Sequence, residues 1–298
     1  MSASVAVEAL AERIRAAAAA GRPLQIRGGG TKDFYGEAAT GERLDTRTLD
    51  APPEHEPTEL VVTASAGMRL AALEDVLAGH GQRLAFEPPH FGAGATVGGM
   101  IAAGLAGPAR AAAGSVRDHL LGVTLLSGEG ELLHFGGRVI KNVAGYDISR
   151  LVAGSLGILG VIVEASLKVL PAAEASVTRR FDMKPGQALD TLQDWGAQPL
   201  PLDASAWWNG NLVVRLSGSS AAVDEAAARI GGDAIEAAAA EPFWAGLREH
   251  TDPYFAAALE AIDHQDAALW RLSMPPAAAA LGLAGDELIE WHGAQRWL

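Results

Sequence analysis

Gly28, Gly29 and Gly30 follow the short run "LQIR" and precede Thr31 and Lys32. Consecutive residues without Cβ atoms expose successive main-chain N–H groups, a concave donor array suited to an anion, and Lys32 adds a cation. A tight surface turn would use the same residues. The motif is not G-x-G-x-x-G, because residue 33 is Asp, and no Walker A loop occurs in the chain. A second cluster, "ATVGGMIAAG", offers Thr96 as an N-cap before Val97, with Gly98 and Gly99 in the first turn of a short helix. Free N–H groups at the positive end of a helix dipole attract phosphate, although close helix packing also selects small residues. A third stretch, "GPARAAAGSVRDHLLG", sets Ser115 and Asp118 before a strand, where they would bind polar ligand atoms or cap a turn. Three anion-friendly segments exceed the needs of one phosphate and suit a dinucleotide carrying a pyrophosphate.

These clusters need elements to hold them. "MSASVAVEALAERIRAAAAAG" reads as an amphipathic helix capped by Ser4 and ended by Gly21 and Pro23. "LQIR" is a strand feeding the glycines. After the Pro-rich link 48–59, "LVVTASA" is a strand and Met68 to Gly79 a helix with Leu70, Leu73, Val76 and Leu77 at helical spacing. "QRLAFEPP" reads as strand then stop, "LLGVTLLSGEGELLHFG" as two strands around Ser127–Gly130, and "SLGILGVIVEASLKVLP" as one long strand ended by Pro171. Beyond residue 172 glycine thins and tryptophan becomes frequent. "SAWWNGNLVVRL" signals a hairpin through Asn209-Gly210, helices are expected at about 185–196 and 219–230, and "ALWRLSMP" and "LIEWHGAQRW" read as strands. The expected division is 1–172, with subdomains of about 1–55 and 56–172, followed by an α+β domain over 173–298. That second domain is expected to be incomplete, because "AQRWL" ends on what reads as the second strand of a hairpin.

Composition narrows the chemistry. A chain of 298 residues with a net charge of −13 lacks the basic face that nucleic acid requires. With no cysteine it can form no disulfide, thiolate nucleophile or iron–sulfur ligand set of its own. The charged N-terminal segment, with Glu8, Glu12, Arg13 and Arg15, is neither a signal peptide nor a membrane span, and the expectation is a cytoplasmic protein without a transmembrane segment.

"IRGGGTK", "EPPHFGAGATVGGMIAAGLAGP", "GSVRDHLLGV" and "KNVAGYDISRLVAGSLGILGVIVEASLKVLP" resemble, in order and spacing, the FAD-binding domain of the vanillyl-alcohol oxidase / p-cresol methylhydroxylase superfamily. Within it, "GGRVIKNVAGYDISRLVAGSLGILGVI" is most similar to the FAD-binding subunits of bacterial glycolate oxidases. The resemblance implies an α+β fold, a two-subdomain p-cresol methylhydroxylase-type FAD-binding domain followed by an α+β cap domain. It implies that Gly28 to Thr31, flanked by Arg27 and Lys32, wrap the pyrophosphate from one side. Thr96, Val97, Gly98, Gly99 and Gly104 would hold it and the ribityl chain from the other, with Pro88 nearby. Ser115 and Asp118 would bind near the diphosphate and ribityl hydroxyls, and backbone around Gly157 and Ile162 would meet the adenine. Thr31 stands where some relatives carry a flavin-linking His, so FAD is expected to be non-covalent, with His90 a lesser alternative anchor. In "KNVAGYD", Lys141, Asn142, Tyr146 and Asp147 are expected to be mainly structural, Asp147 as a helix cap, with Ile148, Leu151 and Val152 buried.

The implied activity is oxidation of glycolate, a small 2-hydroxy acid, to glyoxylate. Partners would be a sister FAD-containing catalytic subunit and an iron–sulfur subunit, through which the chain could sit peripherally at the inner membrane. An arginine fork suits the substrate carboxylate, and Arg271 and Arg296 are the candidates, each equally readable as a surface arginine. His250, His264 and His292 sit in no recognisable constellation, and no metal site is expected. The relatives' H-x-G-D-G-N segment is absent. Two alternatives therefore stay open, a flavin-carrying scaffold subunit whose sister performs the chemistry and a stand-alone D-2-hydroxyacid dehydrogenase.

Overall fold

The computed structural model describes residues 3–38, 40–137, 146–264 and 267–298. Two compact units emerge, Met1–Leu105 with Ser115–Ala172, and Ala106–Gly114 with Ala173–Leu298. The second unit therefore takes a short piece from within the glycine-rich stretch as well as the residues after 172.

The first unit opens with helix α1, Ala3–Ala19, which buries Ala6, Leu10, Ile14 and Ala17 along one face. Ser4, expected as its cap, lies inside the first turn. Gly21, at φ +61°, ends the helix, and strand β1 (Leu24–Arg27) pairs in parallel with β2 (Glu42–Asp45). A five-stranded antiparallel sheet follows, built from β3 (Glu54–Glu56), β4 (Val61–Ser65), β6 (Leu120–Leu126), β7 (Leu132–Gly136) and β8 (Val161–Lys168) in the order β3-β4-β8-β6-β7. Helix α2, Leu70–Ala78, buries Leu70, Leu73 and Leu77, and α3 spans Val97–Ala103. After α4 (Arg110–Ala113) in the second unit, the chain forms α5 (Val116–His119) and α6 (Ile148–Val152) in the first.

Two expected strands shrink. "QRLAFEPP" keeps only β5 (Gln82–Arg83), which pairs with β9 (Leu170–Pro171). Leu84, Ala85 and Phe86 are buried in succession and Glu87 takes φ +47°, which an alternating ladder does not allow. The strand expected from Ser155 begins only at Val161, because Leu156, Gly157 and Gly160 all carry positive φ. Residues 138–145, with Lys141 and Asn142, lie outside the described residues. Asp147 does cap α6, accepting from the Arg150 amide at 3.3 Å and the Ser149 hydroxyl at 2.9 Å. Val152 is buried, Ile148 only partly, and Leu151 is 55% exposed because its face of this single helical turn meets solvent.

The second unit is one antiparallel sheet with helices on both faces. Its strands are β10 (Ala175–Asp182), β11 (Leu202–Trp208), β12 (Asn211–Gly218), β13 (Asp233–Ile235), β14 (Arg271–Ser273), β15 (Leu288–Glu290) and β16 (Gln295–Trp297), in the order β13-β10-β12-β11-β15-β16-β14. Strand alternation sends Leu212, Val214 and Leu216 to one face, against α7 (Pro185–Gly196) and α8 (Ser220–Ile230). Val213, Ala204 and Ala206 turn to the other, against α9 (Ala237–Glu249) and α10 (Pro253–Asp263). Asn209 and Gly210 join β11 to β12 with φ of +48° and +79°, as a type I′ turn requires. "LIEWHGAQRW" folds back on itself, β15 pairing with β16 around a tight turn at Trp291–Gly293, whose three residues all carry positive φ. Segment Ala106–Gly114 is held by the Trp291 indole, which donates to the Gly107 carbonyl at 3.1 Å and lies under Arg110. Among the described residues, no helix is long and apolar enough to cross a membrane.

Candidate functional site

From Arg27 at the end of β1, the chain turns through Gly28–Lys32 and lies alongside residues 90–96. A Cβ on Gly28 would stand 2.5 Å from the Thr96 hydroxyl oxygen, and one on Gly29 would fall on the Gly94 carbonyl. Thr31 packs its methyl beside Gly92. Lys32 donates to the His90 carbonyl at 3.2 Å and sits 5.5 Å above the Phe91 ring, which Phe34 meets edge-on. The two loops thus run antiparallel in close register, and what first demands bare backbone at Gly28 and Gly29 is the protein's own second glycine loop. Gly30 answers a different constraint. It has φ +76°, and a Cβ there would strike the Arg27 guanidinium, whose Nε donates to Asp33 Oδ2 at 2.7 Å.

Beside this pair of loops lies a cleft of about 220 Å³. Its lining brings together Arg27, Gly28, Gly29, Gly30, Thr31, Lys32, Thr96, Gly98, Gly99, Gly157 and Ile162 from the sequence-derived set. Ala66, Ala102, Ala103 and Gly160, which the motifs did not single out, complete a floor of small residues, and Thr46, Tyr35, Glu37 and Leu156 also contribute. The available signal was the density of glycine and alanine around 102–104 and 157–160. Among the described residues, the amides of Gly29, Gly30 and Thr31 donate to no protein acceptor.

Helix α3 departs from expectation. Its first N–H groups are not free. Val97 donates to Met68 O at 3.0 Å, Gly98 to Ala66 O at 2.8 Å, and Gly99 to the Thr96 side-chain oxygen at 3.2 Å. Thr96 is the expected N-cap, but the cap and the close seating on Ala66 consume the donors. Gly98 is accordingly a packing residue as well as a lining one, since its Cβ would lie 2.8 Å from the Ala66 Cβ.

Five expected residues lie outside the lining. Val97 and Pro88 are buried. Gly104 is the left-handed C-cap of α3, pressed against Gly154. Ser115 and Asp118 form a capping box, the carboxylate accepting from the Ser115 amide at 2.8 Å and its hydroxyl at 3.1 Å. His90, the alternative anchor, faces Glu74 at 2.9 Å. Tyr146 is 94% exposed, so it belongs to neither core nor cleft.

In the second unit, Arg271 lies exposed on β14, next to the exposed Trp270. Arg296 is different. Fully buried on β16, it donates to the carbonyls of Gly293, Ala278 and Ala279 and reaches Glu287. Its fork clamps the 278–293 connection, which corrects the expectation of a surface-readable arginine. His250 stacks on Phe255 at 4.0 Å, and burial drives its imidazole down to about 4. His264 engages the Glu260 carbonyl, and burial likewise lowers His292. Glu290 is buried, and desolvation pushes its carboxyl up to about 7 although Trp297 and Gln295 donate to it at 2.7 and 3.0 Å. No group of His, Asp and Glu that could hold a metal ion occurs among the described residues.

Residues 5–136 match the FAD binding domain family. Glycolate oxidase subunit GlcE of Escherichia coli (strain K12) is 43% identical over 98% of this chain and 80% of its own length. The chain belongs to the GlcE family. D-lactate dehydrogenase of Archaeoglobus fulgidus is 36% identical to half of the chain, which spans only 33% of that enzyme. A solved alkyldihydroxyacetonephosphate synthase superposes with a TM-score of 0.66 at 16% identity, covering 89% of this chain and 60% of the synthase, and shares the fold. As a GlcE-family member with this domain, the chain is an FAD-dependent oxidoreductase component, and FAD is its cofactor. The residues present fit that group, since unclaimed amides at Gly29–Thr31 suit a diphosphate and the small-residue floor leaves room for its rings.

Proposed function

We propose that the chain is the FAD-binding subunit of a glycolate oxidase complex, taking part in the oxidation of glycolate to glyoxylate. The observation that carries this is the cleft, where three consecutive amides with no protein acceptor among the described residues adjoin a floor of glycine and alanine in a GlcE-family chain. Gly29, Gly30 and Thr31 hold the diphosphate through their N–H groups, and Arg27 adds positive charge. The small side chains of Gly99, Ala102, Ala103, Gly157 and Gly160 leave room for the ribityl and ring portions. Retention is non-covalent, since Thr31 has no nucleophilic nitrogen and His90 is engaged with Glu74.

When bound, FAD would supply a two-electron acceptor for the hydride at the α-carbon of the 2-hydroxy acid, the hydroxyl proton going to a base and leaving glyoxylate. Of the two candidates for the substrate carboxylate, Arg271 is open to solvent and Arg296 is committed to its own chain. Electrons then leave through partners, a sister FAD-containing subunit and an iron–sulfur subunit, because a chain without cysteine ligates no cluster through thiolates. We place the complex in the cytoplasm, at the inner membrane only through other subunits.

A second reading has an observation of its own. Arg296 and His250 are both spent on internal contacts, which favours a flavin-carrying subunit whose sister performs the substrate chemistry. Visible absorption of the purified chain with FAD, before and after anaerobic glycolate, separates the two. Bleaching establishes the first. A flavin that binds but stays oxidised, while the assembled complex is reduced, establishes the second. A chain that retains no flavin overturns both.

A further inference from the structure

The Gly28–Gly30 turn is spanned by an ion pair, Arg27 with Asp33, whose acidic member the cofactor role leaves unexplained. Arg27 is the last residue of β1, its carbonyl accepting from the Thr46 hydroxyl at 3.4 Å. From that anchor its side chain folds back over the turn, directly above Gly30, and meets Asp33 on the far side through Nε and Nη2 at 2.7 and 2.5 Å. Asp33 is itself held to the turn, its amide donating to the Gly30 carbonyl at 3.3 Å. Both guanidinium contacts go to one carboxylate oxygen. Among the described residues, the remaining guanidinium N–H groups have no protein acceptor, and Arg27 and Asp33 both line the cleft beside the unclaimed amides. A carboxylate beside a diphosphate site is electrostatically unfavourable on its own, so its presence there needs a compensating role.

We propose that Asp33 is a positioning residue that acts through Arg27. It holds the guanidinium across the glycine turn, so that the donors it leaves unused, together with the amides of Gly29–Thr31, face the cofactor's diphosphate. This rests on the placement of FAD in this cleft. An arginine left to itself samples many rotamers, and a fixed partner removes that freedom before the anion arrives.

The sign of one substitution separates this from simple electrostatics. Removing a negative charge next to a bound diphosphate strengthens binding by Coulomb's law alone. If Asp33 instead orients Arg27, Asp33→Asn weakens FAD binding by about tenfold, as loss of a charge-assisted hydrogen bond does. The experiment is FAD titration of the full chain by flavin fluorescence, with thermal unfolding recorded for each variant. Wild type, Asp33→Asn, Asp33→Glu, Arg27→Met and the Arg27→Met/Asp33→Asn pair are compared. The expected pattern is weaker binding for Asp33→Asn and Arg27→Met, recovery in Asp33→Glu, and no further loss in the double variant over Arg27→Met. Tighter or unchanged binding in Asp33→Asn overturns the proposal, as does an additive loss in the double variant. Should Asp33→Asn fail to fold, Asp33→Glu against Arg27→Met decides, because failure of the conservative carboxylate to retain wild-type affinity overturns it too. A wild-type chain that binds no FAD would instead refute the cofactor placement.

Discussion

Gly29 and Gly94 meet backbone to backbone, so closely that a Cβ on Gly29 would lie 1.6 Å from the Gly94 carbonyl oxygen. The two glycine-rich loops are therefore one structural element, and the cofactor cleft is bounded by a contact formed before any ligand enters. Gly29→Val should part the loops and abolish FAD retention, read as loss of the yellow absorption after gel filtration. Folding of the second unit, followed by near-ultraviolet circular dichroism of its tryptophans, should persist. Retained flavin would show that the loop contact is dispensable.

Gly98 and Gly99 are adjacent yet face different surroundings. A methyl at Gly98 would crowd the Ala66 Cβ and carbonyl at 2.8 and 3.0 Å, whereas one at Gly99 would meet only the Thr96 hydroxyl oxygen at 3.1 Å. Gly98→Ala should destabilise by about 1–3 kcal/mol, as overpacking does. Gly99→Ala should fall near neutral, because alanine's helix propensity offsets the tight contact by up to about 1 kcal/mol. Paired urea melts measure the difference, and equal losses would contradict the packing of α3.

Thr96→Val removes the side-chain acceptor for the Gly99 amide. Loss of an N-cap costs about 1 kcal/mol. The same change sets a methyl where the hydroxyl oxygen meets Gly28, so crowding at the loop contact should lower FAD affinity along with stability. A melt with and without excess FAD reads both effects, since ligand binding raises the midpoint by mass action.

The two arginines should separate cleanly. Arg296→Met leaves the buried Gly293 carbonyl without its donor and frees the partly exposed carbonyls of Ala278 and Ala279 and the Glu287 carboxylate, and a loss of about 3 kcal/mol is expected. Arg271→Met, on an exposed strand, should leave the melting temperature unchanged and raise KM for glycolate in the assembled complex. An unchanged KM would remove Arg271 from the substrate site.

Glu290 and His250 make opposite contributions to pH dependence. Glu290 is raised from 4.5 to about 7, so the folded state holds the extra proton, and its contribution to stability falls as pH rises from about 4.5 through 7. His250 is lowered from 6.5 to about 4, so its contribution rises across about 4 to 6.5. Wild type should therefore show a shallow profile below pH 6.5 and a decline near 7. Glu290→Gln, which can still accept from Trp297 and Gln295, should remove that decline and expose the His250 slope. The expected gain above pH 8 is on the order of 2 kcal/mol. A Glu290→Gln profile parallel to wild type would refute the assignment.

Much of the local structure is legible in residue order, because its causes are local. Pro185 at a helix start, the Asn209-Gly210 pair and the periodic leucines of α2 each act within a few residues, and α7, the hairpin and α2 form as expected. The glycine runs likewise announce a site of close backbone approach. What order alone could not reveal is which backbone approaches which. The α3 amides read as open donors until Ala66 and Met68, some thirty residues earlier, prove to occupy them. Ser115 and Asp118 looked equally fit for ligand or cap, and only the folded chain shows the capping box they make with each other.

Taken by itself, the amino-acid order determined the chemistry available: bare donor arrays for an anion, no thiolate, a family pattern for FAD, and the breaks that delimit helices and strands. Tertiary structure decided how those groups are spent. It set Gly29 against Gly94, buried Arg296 among carbonyls, stretched Arg27 across its own turn to Asp33, and assigned Ala106–Gly114 to the second unit. The reason is physical. Propensity and periodicity act over a few residues, whereas the satisfaction of a buried donor or the loss of a Cβ depends on whichever distant segment packs against it.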